Sequence, residues 1–176
     1  MISDNHLNVC AILESHVGKS RLKRVCESVF RTWEWTSNGN LCDKGSLIIL
    51  GWDTFVVDVM VIAQNSQVLH TQVTFKQDRK IMLCSFVYAR NKYIPRRELW
   101  YNLNVHGQFA RGRPWVLLGD FNVALGLDDF ASGPSKVDIA MREFQECVEK
   151  IEVLDINSSG LHFTWNQKPQ GQGGVL

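Results

Sequence analysis

Between Gly45 and Ala89 the chain presents four segments dense in Val, Ile and Phe: "GSLIILGW", "FVVDVMVIAQ", "VLHTQVTF" and "KIMLCSFVYA". No other feature narrows the possible folds as far. β-Branched and aromatic side chains suit a pleated surface, and the intervening "GWDT", "AQNSQ" and "KQDRK" supply turn residues, so the stretch reads as successive antiparallel strands. Upstream, "NVCAILESHV" holds an apolar run, Val9 to Leu13, and releases Glu14 at its end. "KSRLKRVCESVFRTW" then spaces Leu22, Val25, Cys26 and Val29 near 3.6 residues, the period of an amphipathic helix. Downstream, "IPRRELWYNLNVHGQF" opens with Pro95 near a helix start and sets Leu99, Leu103 and His106 on one side. "DIAMREFQECVEKI" predicts another helix, capped by Asp138 and turning Met141, Phe144, Val148 and Ile151 inward. "SGLHFTWNQKP" predicts a short strand, Leu161 to Trp165. The order strand, helix, run of strands, helix, strand, helix, strand points to packed sheets with helices outside them.

One stretch asks for a separate account. In "PWVLLGDFNVAL" an apolar run closes on Gly-Asp-Phe-Asn. Such a run reads as a strand covered on both faces, so Asp120 and Asn122 emerge at its carboxyl end and, two residues apart, point the same way. Two explanations stand side by side. Asp and Asn often bond their own backbone after a strand, forming a turn. A carboxylate and a carboxamide presented together also suit a polar site.

Composition sets the outer limits. At 176 residues, 45% hydrophobic and 21% charged, the chain suits one domain, residues 1–176, with a real core. No apolar run approaches the ~20 residues that cross a bilayer, and "MISDNHLNVC" has no basic segment followed by a long apolar one. The expectation is an intracellular protein without a membrane partner. Five widely spaced cysteines, Cys10, Cys26, Cys42, Cys84 and Cys147, include no Cys-x-x-Cys and read as reduced, mostly buried thiols. The net charge of +1 excludes a generally basic coat, but charge is unevenly placed. From Arg90 to Arg113 six Lys or Arg face one acid, Glu98; from Asp128 to Asp155 eight acids face three bases. The first strip can meet phosphates, or both can be solvated helix faces.

"AILESHV", "SFVYARNKYIPRRELW", "PWVLLGDFNVAL" and "GLHFTWNQKP", in that order, resemble the endonuclease/exonuclease/phosphatase superfamily, specifically the apurinic-type endonuclease domain of plant LINE retrotransposons. The resemblance implies an α/β fold, a four-layered α/β/β/α sandwich, with Mg²⁺ and phosphodiester hydrolysis. It places Glu14 on the metal, Tyr88 on the scissile phosphate, Asp120 on the attacking water, and Asn122 on phosphate and on Asp120. It also suggests DNA contacts for Arg96, Arg97 and Trp165, DNA as partner, and a nuclear location. These roles are chemically apt. Carboxylates are the hard ligands Mg²⁺ prefers, a second carboxylate can take a proton from water, and phenol and amide donors stabilise a developing oxyanion. Two family motifs have no counterpart in the chain, an opening Asn-bearing strand and a closing Ser-Asp-His whose His binds phosphate. The expectation is therefore an incomplete sandwich with its terminal strands missing, a truncated domain that is weak or inactive alone. Three other readings remain open: a catalytically dead nucleic-acid-binding or interaction module, a phosphatase-like member acting on a small phosphorylated substrate, and a pseudogene-like fragment with no selected function.

Overall fold

Strand β3 (Ser46–Trp52) is buried along almost its whole length, and the alternation of its side chains organises two cores at once. Ile48 and Leu50 enter one cluster, while Ile49 enters another with Cys26 and Phe30. A computed structural model of the chain describes residues 7–43, 45–130 and 136–156. Two compact units divide between Asn122 and Val123.

In the first unit, β3 is the middle strand of a three-stranded sheet, flanked by β1 (Val9–Val17) and β2 (Glu34–Ser37), both antiparallel to it. Helix α1 (Lys19–Phe30) covers the outer face of this sheet through Cys26 and Phe30, with Leu22, Trp33 and Trp35 closing the edges. The second sheet runs β4 (Val57–Gln64), β5 (Val68–Phe75), β6 (Ile81–Tyr88), β7 (Trp115–Asp120). Its first three strands are antiparallel hairpins, whereas β7 joins β6 in parallel after the crossover helix α2 (Tyr93–Ala110). Period 2 splits the side chains of β6: Cys84, Phe86 and Tyr88 enter the core between the sheets, where Leu69 and Val73 of β5 meet Ile48 and Leu50. Each such Leu or Ile, fully withdrawn from water, contributes roughly 1.5–3 kcal/mol. The layers are helix, sheet, sheet, helix.

Two expectations need correction. The four Val/Ile-rich segments do not form one antiparallel run, because β3 pairs with β1 and β2 and leaves β4–β6 to the other sheet. The "PWVLL" strand is not covered on both faces: β7 is the edge of its sheet among the described residues, with Trp115, Val116 and Leu117 half-buried and Leu118 exposed.

Polar residues tie this unit together where the sheets meet. Asn38, wholly buried, accepts from the backbone N–H groups of Leu47 (3.2 Å) and Ile48 (2.9 Å) and donates to the carbonyls of Asn65 (3.1 Å) and Ser66 (3.2 Å), linking the first sheet to the β4–β5 turn. Between the second sheet and α2, His70 and His106 stack at 3.9 Å. His70 Nε2 lies 2.9 Å from Asn102 Oδ1, which only accepts, so Nε2 carries the proton. Nδ1 then accepts from Ser85 Oγ (2.7 Å), which in turn accepts from Trp115 Nε1 (2.8 Å). Burial, then the neighbouring His106, pushes the His70 pKa down to about 4.

In the second unit, α3 (Ile139–Ile151) is capped as its sequence requires: the Asp138 side chain accepts from Met141 N at 2.8 Å. Met141, Phe144 and Cys147 form its buried stripe. Gln145 Nε2 donates to the Leu125 carbonyl at 2.7 Å, beside a 3₁₀ turn at Leu127–Asp129 whose Asp129 side chain accepts from Leu125 N and Gly126 N. All five cysteines are free thiols, four of them buried. Among the described residues no helix is long and apolar enough to cross a membrane.

Candidate functional site

Glu14 lies where β1 stops behaving as a strand. Pairing with β3 is regular from Val9 to Leu13, then shifts register before Val17. Within this bulge Glu14 (φ 53°) and His16 (φ 47°) take left-handed backbone conformations, and the Glu14 side chain turns outward, 61% exposed. His16 Nε2 stands 3.7 Å from its carboxylate, and both groups are well solvated.

Across the core, Tyr88 ends β6 with its ring packed in the inter-sheet cluster and its phenol at the rim. That phenol hydrogen-bonds Glu14. Its pKa is pushed up to about 12, first by burial, then by the bond to Glu14 and the charges of Glu14 and Asp120. The group is therefore a protonated donor at neutral pH.

Asp120 is the register partner of Tyr88 across the parallel β6–β7 pairing, which places it at the same rim. Gly119 makes this possible. Its φ is 144°, and a Cβ there would collide with the Val87 carbonyl oxygen and stand 2.8 Å from the carbonyl carbon, so only glycine lets β7 approach β6 so closely. Asp120 Oδ1 accepts from Asn122 N (2.8 Å), and Asp120 O accepts from Ala89 N (2.8 Å). Asn122 (φ 51°) donates its carboxamide to Ala89 O at 2.7 Å. The two explanations offered by the sequence thus coexist: Asp120 and Asn122 do form a turn, and the turn leaves the Asp120 residue exposed beside Tyr88.

The structure brings Glu14, Tyr88, Asp120 and Asn122 to one rim. It separates the others. Arg96, expected on DNA phosphates, is only 4% exposed because it sits on the inward stripe of α2; its guanidinium donates to the carbonyls of Phe121 and Asn122. Arg97 is exposed and lies 5.4 Å from the Tyr93 ring centroid. Trp165 lies outside the described residues. Sequence reasoning passed over Gln67, 1% exposed at the β4–β5 turn. Its carbonyl accepts from Tyr88 N (2.9 Å), its Oε1 accepts from Arg90 N (2.9 Å), and its Nε2 donates to Pro95 O (3.0 Å), so it fixes the chain leaving β6. Nothing in "QNSQVL" singles it out, since turn residues are usually polar for solvation alone.

The architecture is that of endonuclease/exonuclease/phosphatase proteins. The chain superposes on the endonuclease domain of TRAS1, a telomere-specific non-LTR retrotransposon, with a TM-score of 0.63 and 10% identity over 85% of this chain and 61% of that one. A mannosyl-6-phosphatase of Bacteroides thetaiotaomicron gives 0.58 and 15%, over 83% and 58%. An endonuclease/exonuclease/phosphatase family protein from the same organism gives 0.54 and 15%, over 69% and 52%. The chain thus spans between half and two thirds of the length of these neighbours. No family model and no curated protein sequence matches it.

Proposed function

We propose that the chain is an apurinic-type endonuclease domain of a plant LINE element, a Mg²⁺-assisted phosphodiesterase that nicks DNA in the nucleus. The observation that supports this reading is the Glu14 carboxylate hydrogen-bonded to the Tyr88 phenol at the rim where Asp120 is the register partner of Tyr88. Mg²⁺ is ordinarily held by one or two carboxylates, with water and substrate phosphate completing its shell. Glu14, solvated and turned to the rim, fits such a site, and among the described residues no group of three or more His, Cys, Asp or Glu forms a closed cage. Bound there, Mg²⁺ would offset negative charge on the phosphoryl oxygens.

The remaining chemistry belongs to the chain. Asp120, oriented by the Asn122 N–H, accepts a proton from the attacking water. Tyr88 keeps its proton and donates to a phosphoryl oxygen as charge grows there. Arg97, exposed on α2, meets the DNA backbone. The Ser-Asp-His motif of the family does not occur in the sequence, and loss of one preorganised donor costs ~10²–10³ in rate, so residues 1–176 alone act slowly.

Supercoiled plasmid incubated with Mg²⁺ tests this. Slow conversion to nicked circles is expected, abolished in Asp120→Ala and by chelation. Salt-sensitive DNA binding without any nicking replaces the hydrolase by a binding module. Release of phosphate from a sugar phosphate, with DNA untouched, replaces it by a phosphatase.

A further inference from the structure

We propose that Arg96 is a positioning residue, holding Asp120 and Asn122 in working geometry from beneath; its kinetic consequence rests on the reading just given. Three observations converge on it. First, Arg96 is buried in the first turns of α2 and donates from one guanidinium nitrogen to two successive carbonyls, Phe121 (3.3 Å) and Asn122. Second, Trp100, one helical turn on, stacks against the Phe121 ring with centroids 6.5 Å apart, so α2 grips the turn by a polar and an aromatic side chain four residues apart. Third, the start of α2 is itself pinned, because Gln67 Nε2 donates to Pro95 O, the residue before Arg96.

The turn needs such a hold. Asn122 has φ 51°, and Asp120 follows Gly119 at φ 144°, so two departures from ordinary backbone flank the carboxylate. One charged guanidinium nitrogen within reach of both the Phe121 and the Asn122 carbonyl holds the two together. Lysine is a poor substitute at a position only 4% exposed, because its ammonium is more strongly hydrated than a guanidinium and costs more to bury. The Asn122 N–H, aimed at Asp120 Oδ1, and the Asn122 carboxamide, aimed at Ala89 O, keep their directions only while the Asn122 carbonyl is held.

Arg96→Lys and Arg97→Ala separate positioning from phosphate binding. In Arg96→Lys, hydrogen exchange at the Asn122 amide should accelerate by at least ~10-fold, kcat for nicking should fall by ~10² with KM little changed, and the salt dependence of DNA binding should match wild type. In Arg97→Ala the Asn122 amide should be unaffected and the salt slope should fall by about one contact. A variant-free measurement guards against misfolding: in the wild-type chain an arginine-selective dicarbonyl reagent should label Arg97 and spare Arg96. Equal labelling of both, or an unchanged Asn122 amide in a folded Arg96→Lys chain, overturns the proposal. If the wild type never nicks DNA, the nuclease reading fails while amide exchange and labelling still decide the role of Arg96.

Discussion

Gly119→Ala is the sharpest test of how β7 presents Asp120. Two costs add. The new Cβ would meet the Val87 backbone, with the carbonyl carbon 2.8 Å and the amide nitrogen 2.9 Å away, and neither can rotate aside. Overpacking of this kind costs ~1–3 kcal/mol, and an alanine at φ 144° adds ~1–3 kcal/mol of backbone strain. About 4 kcal/mol is expected, a fall in Tm on the order of 10 °C for a chain this size. Two other glycines serve as controls. Gly112 has φ 73° but open space around the Cβ position, so Gly112→Ala isolates the backbone part at about 1–2 kcal/mol. Gly18, with φ −63° and nothing within 4 Å, stands at the start of α1; there the entropy gained by alanine offsets its poorer capping, and the change stays within about 1 kcal/mol. Urea titration of the three variants should rank them Gly119, Gly112, Gly18. If Gly119→Ala costs no more than Gly112→Ala, the close approach of β7 to β6 is wrong, and with it the placement of Asp120 beside Tyr88.

Other outcomes follow from single side chains. His70 is neutral in the fold with a pKa of about 4 against 6.5 unfolded, so its contribution is complete above pH 6.5 and is lost as pH falls toward 4, about 3 kcal/mol in all; a His70 ring that titrates near 6.5 by NMR contradicts the burial described. Asn38→Leu removes the side-chain partner of two N–H groups and of the Asn65 carbonyl, leaving Ser66 O only the weak Cys42 thiol, and should cost about 3 kcal/mol or more in urea denaturation, a loss under about 1 kcal/mol counting against the inter-sheet link. Glu14→Gln removes a charge from beside Tyr88, so in absorbance titration the phenol should ionise below about 12 yet stay above the ordinary 10, because burial is the larger cause; an unmoved midpoint would separate Glu14 from Tyr88.

Much of this arrangement is legible in local sequence, and the exceptions have physical causes. Helix α3 could be read because its cap and its stripe are both local: Asp138 reaches Met141 N, and Met141 and Phe144 recur at helical spacing. Strand partners could not, because pairing β3 with β1 and β2 rather than β4 depends on contacts distant in the chain. Strand β2 is four residues long, too short for any period to stand out. Arg96 is different, since its signal was present and was outweighed. Leu99, Leu103 and His106 define the buried stripe of α2, and Arg96, three residues before Leu99 and seven before Leu103, shares that stripe by the same period. Its charge argued for solvent while its phase argued for the interior, and phase decided.

Strained backbone is unevenly distributed, and the positions that no element boundary explains lie at the rim of Glu14, Tyr88 and Asp120. Among the described residues six non-glycine positions have positive φ. Glu152 closes α3 in the left-handed conformation, Arg31 caps α1 at φ 57° and ψ −101° with its N–H on the Glu27 carbonyl, and Arg79 closes the β5–β6 hairpin. Those three are explained by the elements they terminate. The other three, Glu14, His16 and Asn122, terminate nothing: two lie inside β1 and one follows Asp120. Asn and, to a lesser degree, His tolerate this conformation, but Glu is not so suited, and such positions cost of order 1–3 kcal/mol. A strand continuing regularly from Leu13 would alternate its side chains and keep its pairing with β3; the bulge instead turns Glu14 outward to the phenol of Tyr88. The bend carries a cost in strain, and it sets the Glu14 carboxylate on the phenol of Tyr88, the register partner of Asp120.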